Sequence, residues 1–291
     1  MFKRIALLIT SAALSIAVPI VQPVFAAQSS KPAPPELANA ISAVDKAASS
    51  QDLEAVMKFY APTFSHADGL NRDRYKQLLA QLWKRYKSIR YNTEIAKWEQ
   101  QGDLITAETV TTVQGLKGEE NENFKLDAKV VSTQTYKNVN GQLQVISQQV
   151  LSEQASLSSG EMPPPVRLKV PELIGVGRQY VLDAVVTEPL GNSLLLGAAI
   201  EEPIESQSYL KDNMIDLRAL RAGGVFKIGQ APFKTGDRWI SVVLVRESGI
   251  TIASQRLRVS KDFTGNQYTP LPEPDTSPSR VRPQSNNQQT L

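Results

Sequence analysis

The sequence predicts two folded units: an α+β domain of three helices and an antiparallel sheet, then an all-β sandwich. Three observations carry this. Apolar residues recur at helical spacing in three stretches between Leu37 and Tyr86. From Ile89 the period changes to that of strands. Beyond the triple proline Pro163 to Pro165 the helical period largely disappears, and seven short β-rich runs follow within about 100 residues.

The helices come first. Leu37, Ala40, Ile41 and Val44 mark one stripe; Leu53, Val56, Met57 and Tyr60 mark a second, with Ser49 or Ser50 able to cap it. Tyr75, Leu78, Leu79, Leu82, Trp83 and Tyr86 form the longest stripe, capped by Asn71. "IRYNTEIAKWEQ" and "LITAETVTTVQGL" then flank a "QGD" turn. "ENFKLDAKVVSTQTYK" and "QLQVISQQVLSEQ" flank Asn140-Gly141, a strong hairpin signal. Together they predict a domain over 36–156 with a four-stranded antiparallel meander. A Pro-rich spacer over 157–165 follows, read as stiff and extended. In 166–262 the runs "VRLKV", "QYVLDAVVTE", "SLLLGAAIEE", "IDLRAL", "VFKIGQ", "RWISVVLVRE" and "TIASQRLRVS" are separated by turn signals.

The two ends are of different character. Lys3 and Arg4 precede an apolar stretch, Ile5 to Val18, and "VFA" ends at Ala26. Residues 1–26 therefore read as a signal peptide cleaved between Ala26 and Ala27, with export to the periplasm, extracellular space or thylakoid lumen. Residues 27–35 are a Pro/Ser linker. The tail, 263–291, is rich in Pro, Ser, Asn and Gln and lacks the apolar residues needed to order itself.

Bulk composition excludes several function classes. The 291 residues carry a formal charge of +3, but without Lys3 and Arg4 the remainder holds 30 basic and 29 acidic residues. No electrostatic footprint for nucleic acid is left. The basic-aromatic run "WKRYKSIRY" falls near a helix C-terminus, where cations favour the dipole without any ligand. Cysteine is absent, which excludes thiolate metal sites, cysteine nucleophiles and disulfides. No Gly-rich phosphate loop or serine elbow is present, and no cofactor is expected. Glu201, Glu202, Glu205, Asp212 and Asp216 gather without the alternating ladder of a calcium loop, so they read as a solvated edge.

The stretches "DLEAVMKFYAPTF", "DGLNRDRYKQLL", "QGDLITAETVTTV" and "YKNVNGQLQVISQQVLSE" resemble the nuclear transport factor 2-like superfamily in its SnoaL-like branch, over about residues 36–155. That resemblance implies a cone in which a curved antiparallel sheet wraps a long helix and leaves a pocket. The superfamily includes isomerases, dehydratases, hydrolases, binding proteins and association domains. By strand count, residues 163–262 resemble an immunoglobulin-like sandwich, without the cysteine pair of antibody domains.

Two sets of residues compete for a site. His66, the chain's single histidine, lies near Asp68 and has the chemistry of a general base. Its neighbours Ser65, Ala67 and Gly69 read as a polar surface loop. Where many relatives place an aromatic and then a histidine in the closing strand, this sequence has Leu143 and Gln149. The other set is a pocket wall of Tyr60, Phe64, Tyr75, Trp83, Tyr91, Thr109, Thr111 and Gln149. The helix aromatics in it also read simply as core, and one ring can serve both purposes. Ile105, Ala107, Thr109, Thr111 and Val113 alternate on one strand face, hydroxylic and apolar rather than acidic. The expectation is an exported binding or association protein holding a small apolar ligand, with the sandwich as an interaction module for a protein partner. The competing class is an isomerase- or dehydratase-like enzyme. Arg90, Asn92, Glu94, Thr106 and Glu108 give the sheet a polar outer face, so a homodimer through it is expected to be weak.

Overall fold

A computed structural model describes residues 32–263, apart from 119–122, 190, 192–193, 210–213 and 221–222. The cleavage site Ala26–Ala27, Asp212 and nearly all of the tail lie outside the described residues. Helix α1 spans Pro35–Ser49, and it buries Leu37, Ala40, Ile41 and Ala48. Helix α2 is short, Leu53–Met57. Its cap is Asp52, not Ser49 or Ser50: the Asp52 side chain accepts the Ala55 N–H at 3.0 Å. Helix α3 is Arg72–Trp83, capped as expected by Asn71, which accepts the Arg74 N–H at 2.9 Å. Among the described residues no helix is long and apolar enough to cross a membrane.

The second helical stripe stops one turn early. Tyr60–His66 is a strand, β1, and not a helical end or a loop. Pro62 has no N–H to give to a helix and would clash with the preceding turn. It is tolerated here because it falls in the irregular stretch between Tyr60 and Ser65, where the parallel pairing of β1 with β5 (Gln142–Gly160) has no partner residues. Tyr86 likewise begins a strand, β2 (Tyr86–Gln101), rather than ending α3.

Strands β2, β3 (Leu104–Lys117), β4 (Phe124–Val139) and β5 form the expected antiparallel meander. The hairpin at Asn140-Gly141 has φ of 53° and 83°, the left-handed pair that a two-residue turn of this hand requires. The concave face of this sheet closes over α1 and α3, which gives the cone.

The remaining strands are β6 (Val166–Lys169), β7 (Leu173–Gly175), β8 (Gln179–Val186), β9 (Leu196–Pro203), β10 (Arg218–Ala219), β11 (Gly224–Gln230), β12 (Arg238–Arg246) and β13 (Gly249–Ser260). Six of the seven expected runs contain a strand of four or more residues, "IDLRAL" contains the two-residue β10, and β7 was not expected. Their arrangement departs from a self-contained sandwich. Strand β13 pairs antiparallel with β5 from Gly249↔Gly160 to Gln255↔Gln154, so the order β10-β9-β12-β13-β5-β4-β3-β2 runs unbroken through both halves. A second sheet, β11-β8-β6, packs over its outer part, with Tyr180, Leu182, Ala184, Ile240, Val242, Leu244 and Leu257 between them. The spacer correction follows from the same pairing. Residues 157–160 are strand, and Pro164 accepts a hydrogen bond from the buried Thr251 hydroxyl at 2.7 Å.

The main core also ignores the expected boundary. Leu37, Leu78, Trp83 and Val113 belong to one apolar cluster with Ile204, Tyr209, Trp239, Val243 and Ile252. Where β5 leaves the cone, Gly160 has φ +106°. A Cβ there would lie 2.4 Å from the Ser248 carbonyl oxygen. Gly160→Ala is expected to lower stability by about 1–3 kcal/mol through left-handed strain and this clash. Urea denaturation measures it, and an unchanged midpoint would mean the crossing is looser than described.

Candidate functional site

A cavity of about 100 Å³ lies between the helices and the concave sheet. Helix α1 contributes Ile41, Val44, Asp45 and Ala48, and α3 contributes Tyr75, Leu79 and Trp83. Tyr60 of β1, Tyr91 and Thr93 of β2 and Thr111 of β3 stand opposite. Ser132, Gln134 and Tyr136 of β4 and Val145 and Gln148 of β5 complete much of the wall. On the scale where one water needs about 10–15 Å³, this holds a group of several non-hydrogen atoms.

Five of the eight sequence-predicted wall residues line this cavity: Tyr60, Tyr75, Trp83, Tyr91 and Thr111. Phe64 is buried behind it, edge-on to Tyr60 at 4.9 Å. Thr109 is buried one layer back, its hydroxyl 3.2 Å from that of Ser132. Gln149 is exposed on the outer face. It pairs with Thr133, between the wall residues Ser132 and Gln134, so strand alternation turns it away. Its neighbour Gln148 faces in. Leu143, by contrast, is buried in the core.

The wall's polar groups are largely paired with one another. The Tyr60 and Tyr75 hydroxyls are 3.2 Å apart, and Trp83 Nε1–H donates to the Tyr91 hydroxyl at 3.0 Å. The Tyr136 hydroxyl donates to Gln134 Oε1. Asp45 accepts from the Thr93 N–H at 2.6 Å and from the Thr93 hydroxyl at 2.8 Å. Burial pushes the Asp45 carboxyl above its ordinary value, and the Thr93 bonds oppose that rise. Gln148 Oε1 is buried and finds no donor among the described residues. Asp45 was not among the residues expected at the site. Its place four residues after Ile41 and three before Ala48 was the available signal, since both neighbours are core.

His66 and Asp68 are not in this cavity, and His66 is not in a surface loop. His66 ends β1 and is only 7% exposed; its ring stacks on Tyr75 at 6.4 Å. Nδ1 accepts the Asp68 N–H at 3.1 Å, so in the neutral ring the proton is on Nε2. The 3.5 Å approach of Nδ1 to the Asp68 carboxylate is therefore not an ion pair. Burial holds the His66 pKa below its ordinary value; Asp68 opposes this and Arg256 adds to it.

Asp68 instead belongs to a second polar cluster, built around Arg256 of β13. Arg256 is 1% exposed. Its guanidinium grips both Asp68 oxygens, at 3.0 and 2.9 Å, and reaches Glu153 of β5 at 3.0 Å and Asp237 at 2.8 Å. The Tyr209 hydroxyl donates to Asp68. Burial alone would raise the Asp68 pKa, but the hydrogen bonds and charge of Arg256 outweigh it and hold this carboxyl below its ordinary value. Glu153 and Asp237 are raised, because burial outweighs their share of the same cation. No local signal ties Arg256 to Asp68: Arg256 sits in an ordinary strand run, 188 residues away.

Among the described residues no cluster of His, Asp and Glu has metal-ligating geometry. The acidic group around Glu201 and Glu205 shows no such arrangement; Glu201 instead accepts from the Tyr180 hydroxyl and approaches Arg238.

A family model described as a domain of unknown function, DUF8623, matches residues 161–260. No curated protein matches the sequence. Solved structures resemble about 40% of the chain. Bd1075 of Bdellovibrio bacteriovorus shares 16% identity with a TM-score of 0.33, covering 39% of this chain and 38% of its own. A Novosphingobium aromaticivorans protein assigned as a scytalone dehydratase shares 12% (TM-score 0.35; 40% and 80% covered). A Streptomyces avermitilis protein of the NTF2-like family, assigned as a dehydratase, shares 13% (TM-score 0.35; 40% and 92% covered). At these identities and TM-scores none of these neighbours carries over a residue's role.

Two outcomes are expected here. Arg256→Met leaves three buried carboxylates without their cation and should cost about 3–5 kcal/mol at neutral pH, less in acid where they protonate. Urea titrations at both pH values measure this; a loss under 1 kcal/mol, or one equal at both, would contradict the assignment. For His66 the folded pKa is lowered, so below the unfolded value of about 6.5 the unfolded chain takes a proton that the folded chain refuses. Wild type should lose stability relative to His66→Gln as pH falls below 6.5, by at most about 1.4 kcal/mol per unit. A pH-independent difference would mean that the buried ring protonates as freely as an exposed one.

Proposed function

We propose that this is an exported, non-catalytic binding or association protein whose cone cavity holds a small ligand with a largely apolar body. The observation that carries this reading is the wall itself: aliphatic and aromatic surface with a few convergent polar groups, a combination suited to holding a small molecule. The chain's histidine is buried behind Tyr75 and shielded from the cavity, which removes the expected general base from contact with a ligand.

The β-rich half serves as an interaction module. Its three-stranded sheet presents Val185, Phe226 and Ile228 to solvent on one face, an apolar surface suited to a protein partner. The polar outer face of the cone sheet suits a modest homodimer at most: Asn92 and Glu94 are exposed, and Glu108 is engaged by Lys97 at 2.8 Å.

A second reading rests on Asp45. A carboxylate with a raised pKa in an aromatic cavity can accept a proton from a bound substrate, as an isomerase or dehydratase requires. Asp45, and not His66, is then the base.

A small-molecule screen read by intrinsic fluorescence tests both, because Trp83 is part of the wall. Ligands should shift its emission, and Thr111→Phe, which fills the cavity, should abolish the response with the fold intact. Binding that survives Thr111→Phe would place the ligand elsewhere. Turnover that disappears in Asp45→Asn would replace the binding reading with the enzymatic one.

A further inference from the structure

The cavity wall has an unbalanced inventory. Among the described residues it holds one carboxylate, Asp45, and no Lys, Arg or His. Arg72, whose guanidinium is held by the Met57 and Tyr60 carbonyls, is not among the lining residues. The Asp45 oxygens each accept one bond from Thr93 and keep further acceptor capacity, so Thr93 stabilises the charge without neutralising it. Five aromatic rings share the wall: Tyr60, Tyr75, Trp83, Tyr91 and Tyr136. The negative charge of Asp45 reaches Tyr60 and Tyr136, where it works against ionisation of both phenols. Gln148 Oε1, on a wall residue, is buried without a donor among the described residues. The Asp45 charge is thus one that the described wall leaves without a cation.

We infer that the cavity selects a small protonated amine, held by Asp45 and enclosed by the aromatic rings. Ring faces attract a cation through their quadrupoles, most strongly once it is desolvated. An ammonium supplies N–H donors to Asp45, and its alkyl body meets the aliphatic lining of Ile41, Leu79, Val130 and Val145. A carboxylate or phosphate ligand would meet the Asp45 charge with no cation to offset it. This inference rests on the cavity-binding reading above and narrows it to a chemical class.

The test uses two probes matched in size and shape, tert-butylammonium chloride and tert-butanol, titrated near neutral pH into the full mature chain. Fluorescence and calorimetry give the affinities. The ammonium should bind about tenfold or more tightly than the alcohol. Asp45→Asn should reduce that preference to within about twofold. If Asp45→Asn fails to fold, the wild-type preference decides alone. Equal or tighter binding of tert-butanol overturns the amine inference and leaves the cavity reading standing. Amine binding unaffected by Thr111→Phe overturns the inference, since the cation is then bound elsewhere. If neither probe binds at millimolar concentration, both readings are overturned.

Discussion

Arg256 sits at 1% exposure, in a place that a lone cation does not occupy without large cost. It is tolerated there because three carboxylates from distant parts of the chain converge on it. Asp68 follows β1 and Glu153 lies on β5, both within the cone half; Asp237 precedes β12 and Tyr209 closes the cluster from the other half. Three carboxylates around one guanidinium leave an excess of negative charge. The shifts are opposed: Arg256 holds the Asp68 pKa below its ordinary value, while burial raises those of Glu153 and Asp237. Such a cluster specifies an arrangement more than it stabilises one, since its charges are satisfied only when both halves are in place.

The cavity depends on that arrangement indirectly. Strand β5 supplies Val145 and Gln148 to the wall, Glu153 to the cluster, and residues 154–160 to the ladder with β13. Strand β1 supplies Tyr60 to the wall and ends at His66, two residues before Asp68. The same two strands therefore fix the ligand-facing rings and the junction between the halves. His66 is an intermediate here, stacked on the wall residue Tyr75 while accepting the Asp68 N–H.

Local signals in the sequence were read well. The Asn71 cap, the Asn140-Gly141 hairpin, the meander and most strands of the second half were legible because each depends on neighbours a few residues apart. Strand β1 was misread because Leu53, Val56, Met57 and Tyr60 keep helical spacing through a real helix end, and Pro62 was the signal that should have stopped the stripe. Five of the eight wall residues were legible through the aromatic stripe and strand alternation. Asp45 was missed although its spacing from Ile41 and Ala48 places it on the buried face. Gln149 was misplaced by one residue, enough to turn a strand side chain outward. The β5–β13 ladder and the bonds from Arg256 to Glu153 and Asp68, 103 and 188 residues away, join distant parts of the chain, and no periodicity encodes such a pairing. The triple proline reinforced a boundary that the sheet runs past.

The central claim is that the cone and the β-rich half are one cooperative body. Hydrogen exchange along a urea gradient tests it most directly, by comparing amides of β3, in the cone, with amides of β12, in the other half, and with those of the ladder at 154–160 and 249–255. This account predicts that all of them lose protection in a single transition at one urea concentration. Loss of β12 protection while β3 remains fully protected, with the ladder amides exchanging early, would show two independent domains and contradict it.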